Sequence, residues 1–223
     1  GGAFNTSPFS RSNAAFNHAA ELLKFFDYHL KGMQNGLYNE PRINYFTVGA
    51  EKWQGAGDWP PMSEPVRLYI NQENSLNQAV SEEKGAYRYS EDNSFGSGIS
   101  NRWTAVNGKV KNPYTYNDWT KRSENLLHFH TNRLEKNIEI TGHPTVTLYA
   151  SLNSCEGAVF VYLEEEDSLG NVFHVTEGQL KATHRKLSEY GYYCEAVPQR
   201  RHSFLYEDLV TTNEVLKLKF DIL

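Results

Sequence analysis

The residues of this chain that could carry chemistry are few, and their spacing decides what each could do. His128 and His130 stand two apart. On a strand that spacing puts both imidazoles on one side, where they could share a metal or a substrate. The spacing supplies no third ligand, so packing and hydrogen bonding are the favoured roles for this pair and for the isolated His174, His184 and His202. The run Glu164-Glu165-Glu166-Asp167 before Gly170 has the charge of a Ca²⁺ site. Hard cations need ligands that converge from one defined loop, so a solvated hairpin end fits the run better. A serine nucleophile on a strand-to-helix elbow needs Gly-x-Ser-x-Gly, and the nearest approach is Phe95-Gly96-Ser97-Gly98-Ile99-Ser100. No strand pattern precedes that segment and no helix pattern follows it, so it reads as a Gly/Ser loop. There is no His-Glu-x-x-His, P-loop or dinucleotide fingerprint.

These patterns assign no catalytic residue, no metal ligand and no cofactor. Trp53 and Trp59 remain as candidate substrate-binding residues, since flat indole faces can hold a sugar ring or an apolar group. They can equally be plugs at a corner of the fold.

Composition narrows the partners. A net charge of −5 comes from 27 acidic and 22 basic side chains spread along the chain. With no basic patch, nucleic acid and anionic membranes are unlikely partners on charge grounds. No apolar run approaches the ~20 residues that span a bilayer. The compartment stays undecided. Cys155 and Cys194 fit no metal or redox spacing and read as buried free thiols. Aromatics make up 13% of the chain, with 14 Tyr and 12 Phe, a bias that favours strand faces over a helical bundle.

Stepping along the chain, Ser12 or Asn13 can cap a helix whose apolar positions Phe16, Ala19, Ala20, Leu23, Phe26 and Leu30 recur at three and four. Gly32 should end it in the left-handed conformation. A Gly/Asn/Pro connector leads to a strand over 42–48, then a loop over 49–61 with the two tryptophans, then a short strand over 66–71. From 72 to 118 the periodicity is weak and a long irregular excursion is expected, although its aromatics (Tyr87, Tyr89, Trp103, Tyr114, Tyr116) argue that it packs. Strand patterns follow at 126–131, 138–141, 145–151, 158–165, 171–177, 179–185 and 216–223. Many short strands separated by turn signals describe a mainly β chain, a jelly-roll β-sandwich preceded by one amphipathic helix. The division expected is 1–41, a helical junction, and 42–223, the sandwich. The last strand stops in mid-pattern at Leu223 and the first residue is not Met, so a chain truncated at both ends is expected.

Four stretches then carry a resemblance: FFDYHLKGMQNG (25–36), PRINYFTVGAEKWQGAGDWPP (41–61), IEITGHPTVTLYASLNS (138–154) and GAVFVYLEEEDSLGNVFHVTEGQLKATHRK (157–186). The last, with its order of strand, acidic turn, Gly, strand, Thr-Glu-Gly and Arg, is the most specific. Together they resemble the C-terminal jelly-roll region of the CocE/NonD serine hydrolases, a family that includes cocaine esterase, X-Pro dipeptidyl-peptidases and α-amino-acid ester hydrolases. The resemblance implies an upstream α/β-hydrolase domain that holds the Ser-His-Asp triad, with this chain starting just after the triad His. His18 and His29 then lie within the helix and are not catalytic. It also implies an accessory role, shaping the cleft and holding domains or a homo-oligomer together, with ester, amide or X-Pro substrates left open. The reading from residues alone keeps a second class, a free-standing carbohydrate- or ligand-binding module using Trp53 and Trp59.

Overall fold

The computed structural model describes residues 17–61, 64–82, 85–90, 126–188, 197–203, 205 and 207–222. Chain contacts divide the protein into two compact units, 1–141 and 142–223. No helix among the described residues is long and apolar enough to cross a membrane.

The first unit opens with α1, His18–Lys31. Its N-cap is Asn17, whose side-chain oxygen accepts from the Ala20 N–H at 3.1 Å. The cap therefore lies four or five residues beyond the expected Asn13 or Ser12, which with Phe16 fall outside the described residues. Gly32 ends the helix as expected, at φ +68°, with its N–H on Tyr28 O and that of Met33 on Asp27 O. This left-handed exit satisfies two carbonyls that the helix leaves open.

Strands β1 (Ile43–Thr47) and β2 (Lys52–Ala56) form an antiparallel hairpin in which Tyr45 faces Gln54 and Phe46 faces Trp53. The sequence reading placed β2 inside a loop. Gly49 at φ +86° and Glu51 at φ +54° turn the chain within four residues, and Gly49 is the turn signal that could have marked the hairpin. The strand expected over 66–71 contracts to β3 (Tyr69–Ile70), which pairs with β4 (Leu76–Asn77) across a one-turn 3-10 helix, Gln72–Asn74. Most of the expected excursion, 83–84 and 91–118, lies outside the described residues, as do Trp103, Tyr114 and Tyr116. Of its two described aromatics, Tyr87 and Tyr89, Tyr87 packs edge to face on Phe129 at 5.0 Å and donates its hydroxyl to Asn71 O at 2.8 Å. The strands expected over 126–131 and 138–141 do not form ladders among the described residues. The first contributes one parallel bridge, His130 to Ser75. In the second, Glu139 Oε1 accepts from Gln54 Nε2 at 2.8 Å and Thr141 Oγ1 at 3.0 Å, so a side chain rather than a ladder ties the segment to the hairpin.

The second unit is two thin β layers. β5 (Thr145–Ser151) pairs with β8 (Val215–Asp221), and β6 (Ala158–Glu166) pairs with β7 (Val172–Lys181), both antiparallel. Alternation decides which side chains point inward. Leu216, Leu218 and Phe220 of β8 are buried with Leu180 of β7, Ala182, Val210 and Ile222. Val146 and Leu148 of β5 and Val159, Val161 and Leu163 of β6 pack around them. In the last strand Leu216, Leu218, Phe220 and Ile222 alternate with Lys217, Lys219 and Asp221, and the apolar set is the one buried. Residues 171–185, read as two strands broken near Gly178, form one strand followed by a 3-10 turn, Ala182–His184. Gly178 is not a break. A Cβ on it would lie 2.5 Å from Ile222 Cγ2 and 2.9 Å from Ile222 Cα, and closer still to the Asp221 carbonyl. Arg185 closes the far end, donating to the carbonyls of Asp208 at 2.7 Å and Leu209 at 3.1 Å.

The acidic run ends in the β6–β7 turn. Asp167 accepts from Leu169 N at 2.8 Å, Asn171 N at 2.9 Å and Asn171 Nδ2 at 2.7 Å. The Asn171 amide first, then backbone N–H groups, stabilise the carboxylate and hold its pKa below the ordinary 3.8.

Three outcomes follow. Phe220→Ala, at a side chain 1% exposed, should cost about 3–5 kcal/mol in urea unfolding. Gly178→Ala, which adds one methyl, should cost about 1–3 kcal/mol because backbone rather than a flexible side chain must give way. A native-like midpoint for either would contradict this packing. A lowered folded-state pKa means that Asp167 contributes its full stability above pH 4 or so and loses it as pH falls through the lowered value. Asp167→Ala should therefore melt below wild type at pH 7, and the gap should close on acidification toward pH 2; a gap independent of pH would refute that role.

Candidate functional site

The two sides of α1 have different fates. At 100° per residue, Leu22, Leu23, Phe25, Phe26 and Leu30 share one side, and Glu21, Lys24, Asp27 and Lys31 the other. The polar side is tied to the chain that follows it. Lys24 Nζ lies 2.7 Å from Glu21 Oε2 and 2.9 Å from both carboxylate oxygens of Glu40. Those partners raise the Lys24 pKa above its ordinary value, Glu21 contributing most. Asn35 Nδ2 donates to Lys24 O at 2.6 Å. Lys31 pairs with Asp27 at 2.6 Å. The apolar side is open, with exposures from 46% at Phe25 to 77% at Leu30, and no residue of the helix is buried. Phe25 touches Phe26 at 5.5 Å and His29 at 4.4 Å, so the face is a contiguous patch. Helices of soluble proteins ordinarily bury such a stripe.

The β1–β2 hairpin separates the two tryptophans. Tyr45 and Phe46 are neighbours on β1 and so point to opposite faces. Trp59 packs edge to face on Tyr45, 5.5 Å between centroids, and Trp53 packs likewise on Phe46, also at 5.5 Å. Thr47, Gln54 and Glu139 share the Tyr45–Trp59 face, where Gln54 Nε2 bonds Thr47 Oγ1 at 2.6 Å and Glu139 Oε1 at 2.8 Å. Trp53 stands on the other face, 44% exposed. The two indoles do not make one platform.

The remaining candidates fall as follows. His128 and His130 are both exposed, and among the described residues no three His, Cys, Asp or Glu side chains converge to hold a metal. His184 and His202 are not isolated, since their rings stack at 5.6 Å and 26°. Beside them, Glu207 accepts from Lys181 at 2.7 Å, and that pair lowers the Glu207 pKa and raises that of Lys181. His174 is buried on β7 with Nε2 3.3 Å from Glu177 and its ring against Tyr162. The ladder runs from Leu163–Thr176 directly to Glu164–His174, so Val175 is an extra residue that re-aims His174. The sequence carries no sign of that bulge. Cys155 is exposed rather than buried, because its loop lies outside the apolar alternation. Cys194 and Ser97 lie outside the described residues.

Two mycobacterial proteins, each named "Putative serine esterase", from Mycobacterium bovis and Mycobacterium tuberculosis, are 35% identical to the chain over 214 residues. The match covers 95% of this chain and 34% of each relative, so the chain spans about a third of their length. The crystal structure of an aminopeptidase from a marine sediment archaeon, Thaumarchaeota archaeon, superposes with a TM-score of 0.63 at 17% identity, over 90% of this chain and 32% of that one. At that identity the likeness concerns the fold, a β-sandwich preceded by one helix. Residues 35–223, most of the chain and every strand described above, match the X-Pro dipeptidyl-peptidase C-terminal non-catalytic domain, and it is to this family of non-catalytic domains that the chain belongs.

Proposed function

We propose that the chain is the accessory C-terminal part of a serine hydrolase that cleaves ester or amide bonds. In this reading it forms one wall of the active-site cleft and fastens the catalytic portion, while acyl transfer through a Ser-His-Asp triad and an oxyanion hole takes place on that other portion. The sandwich is read as a jelly roll of the galactose-binding-like kind. The observation that carries the proposal is the open apolar face of α1 opposite a polar side already held by Glu40 and Asn35. A helix so arranged has its orientation set by its own chain and its hydrophobic surface kept for another body. The relatives, about three times the matched length, supply room for such a body. A homo-oligomer built on the same face is the competing occupant.

The chain by itself should not turn over a chromogenic short-chain ester or react with a fluorophosphonate. Stoichiometric labelling of any of its serines would overturn the assignment of the nucleophile to another portion. The part of a mycobacterial relative outside the matched third should bind the chain in trans. Leu23→Asp with Phe26→Asp should weaken that association at least tenfold, while leaving the unfolding free energy of the free chain within about 0.5 kcal/mol, as expected for exposed sites. Unchanged affinity, or a chain that dimerises through the same residues instead, would refute docking by this face.

A further inference from the structure

We infer that Asn35 is a site of covalent modification, deamidation through Gly36, and that its conversion frees the connector from α1; neither step depends on what the chain docks on. Asn35 lies half-buried three residues past the left-handed exit at Gly32. Its Nδ2 donates to Lys24 O at 2.6 Å, which binds the connector to the middle of the helix, and its Oδ1 accepts from Leu37 N at 3.3 Å. With the Lys24–Glu40 ion pair, that amide holds the chain after Gly32 to α1.

Gly36 makes the pair reactive. It has no side chain to shield its nitrogen, it is exposed at φ +83°, and a Cβ placed on it would meet nothing within 4 Å. Its N–H bonds no acceptor among the described residues. Asn17, Asn39, Asn44 and Asn71 are instead followed by His, Glu, Tyr and Gln, whose side chains crowd the same attack. The reaction needs only the chain and one water. The deprotonated Gly36 nitrogen attacks Asn35 Cγ, an N–Cγ bond forms, the Cγ–Nδ2 bond breaks, and Nδ2 takes up the proton lost from Gly36 and leaves as ammonia. Water then opens the cyclic imide at either carbonyl, leaving an aspartyl or an isoaspartyl residue at position 35. Negative charge builds on Oδ1 in the first step, where the Leu37 N–H is already directed. The Nδ2 bond to Lys24 must break before ammonia departs, so the contact that fastens the helix also slows the reaction. Either product turns a carboxylate, with no donor, toward the Lys24 carbonyl, and the isoaspartyl form adds a methylene to the main chain.

The experiment is peptide mapping by mass spectrometry of the wild-type chain before and after incubation at mildly alkaline pH, with isoaspartyl methyltransferase labelling as a second readout. Hydrogen exchange is then compared between the fresh chain, the aged chain and Asn35→Asp. Conversion at Asn35 should outpace that at Asn17, Asn39, Asn44 and Asn71. Amides of α1 and of residues 33–40 should exchange about fivefold faster in the aged chain and in Asn35→Asp, as the loss of one hydrogen bond predicts. Conversion no faster than at those four positions would overturn the site. Conversion that leaves exchange unchanged would overturn the release of the connector. Conversion and its effect are both read in the wild-type chain, so an Asn35→Asp chain that misfolds leaves both outcomes decidable.

Discussion

The second unit depends on two β layers filling one another. A two-stranded hairpin is marginal in water by itself, and both layers here are two-stranded among the described residues. Their stability comes from burying Leu216, Leu218 and Phe220 against Leu180, Val159 and Val161, each fully buried side chain contributing about 1.5–3 kcal/mol. That contact is close enough at Gly178 for the backbone of Asp221 and Ile222 to occupy the space of a missing side chain. A glycine in a strand usually weakens it, and here it is what lets two strands from different layers approach. The Arg185 side chain, bonded to three carbonyls in and beside the 3-10 turn, holds the chain that returns toward β8.

The first unit solves a different problem. Its helix is held by charge on one side and left apolar on the other, and its hairpin carries Tyr45 with Trp59 on one face and Phe46 with Trp53 on the other. An open apolar helix face is a liability for solubility in a monomer that works alone. Surface ion pairs such as Lys24–Glu40 are worth little as stability. As a fastening they restrict the direction in which the helix presents Phe25, Phe26 and Leu30.

Several of the described acidic residues are engaged within the fold. Asp167 is spent on a turn, Glu139 on tying a segment to the hairpin, and Glu207 on Lys181 and Thr183. On α1, the exposed apolar side chains Leu22, Leu23, Phe25, Phe26 and Leu30 lie opposite the paired Lys24 and Asp27.

Much of this was legible in the sequence because it is periodic. The three-and-four spacing from Ala19 to Leu30 defines the helix and its stripe, Gly32 its end, and strict alternation in Thr145–Ser151 and Val215–Asp221 the buried faces. Those signals are local, since a side chain's direction follows from its position along a helix or strand. Contacts between distant residues leave no such trace. Position 17 becomes the cap through the conformation of the turn, and Val175 becomes a bulge only when β6 and β7 pair out of step. Gly178 read as a break because its reason, the end of β8, lies more than forty residues away. Trp53 and Trp59 looked like a pair six residues apart in one loop. Only the pairing of β1 with β2 decided that they stand on opposite faces, because registry between strands, not spacing along the chain, determines which side of a sheet a ring occupies.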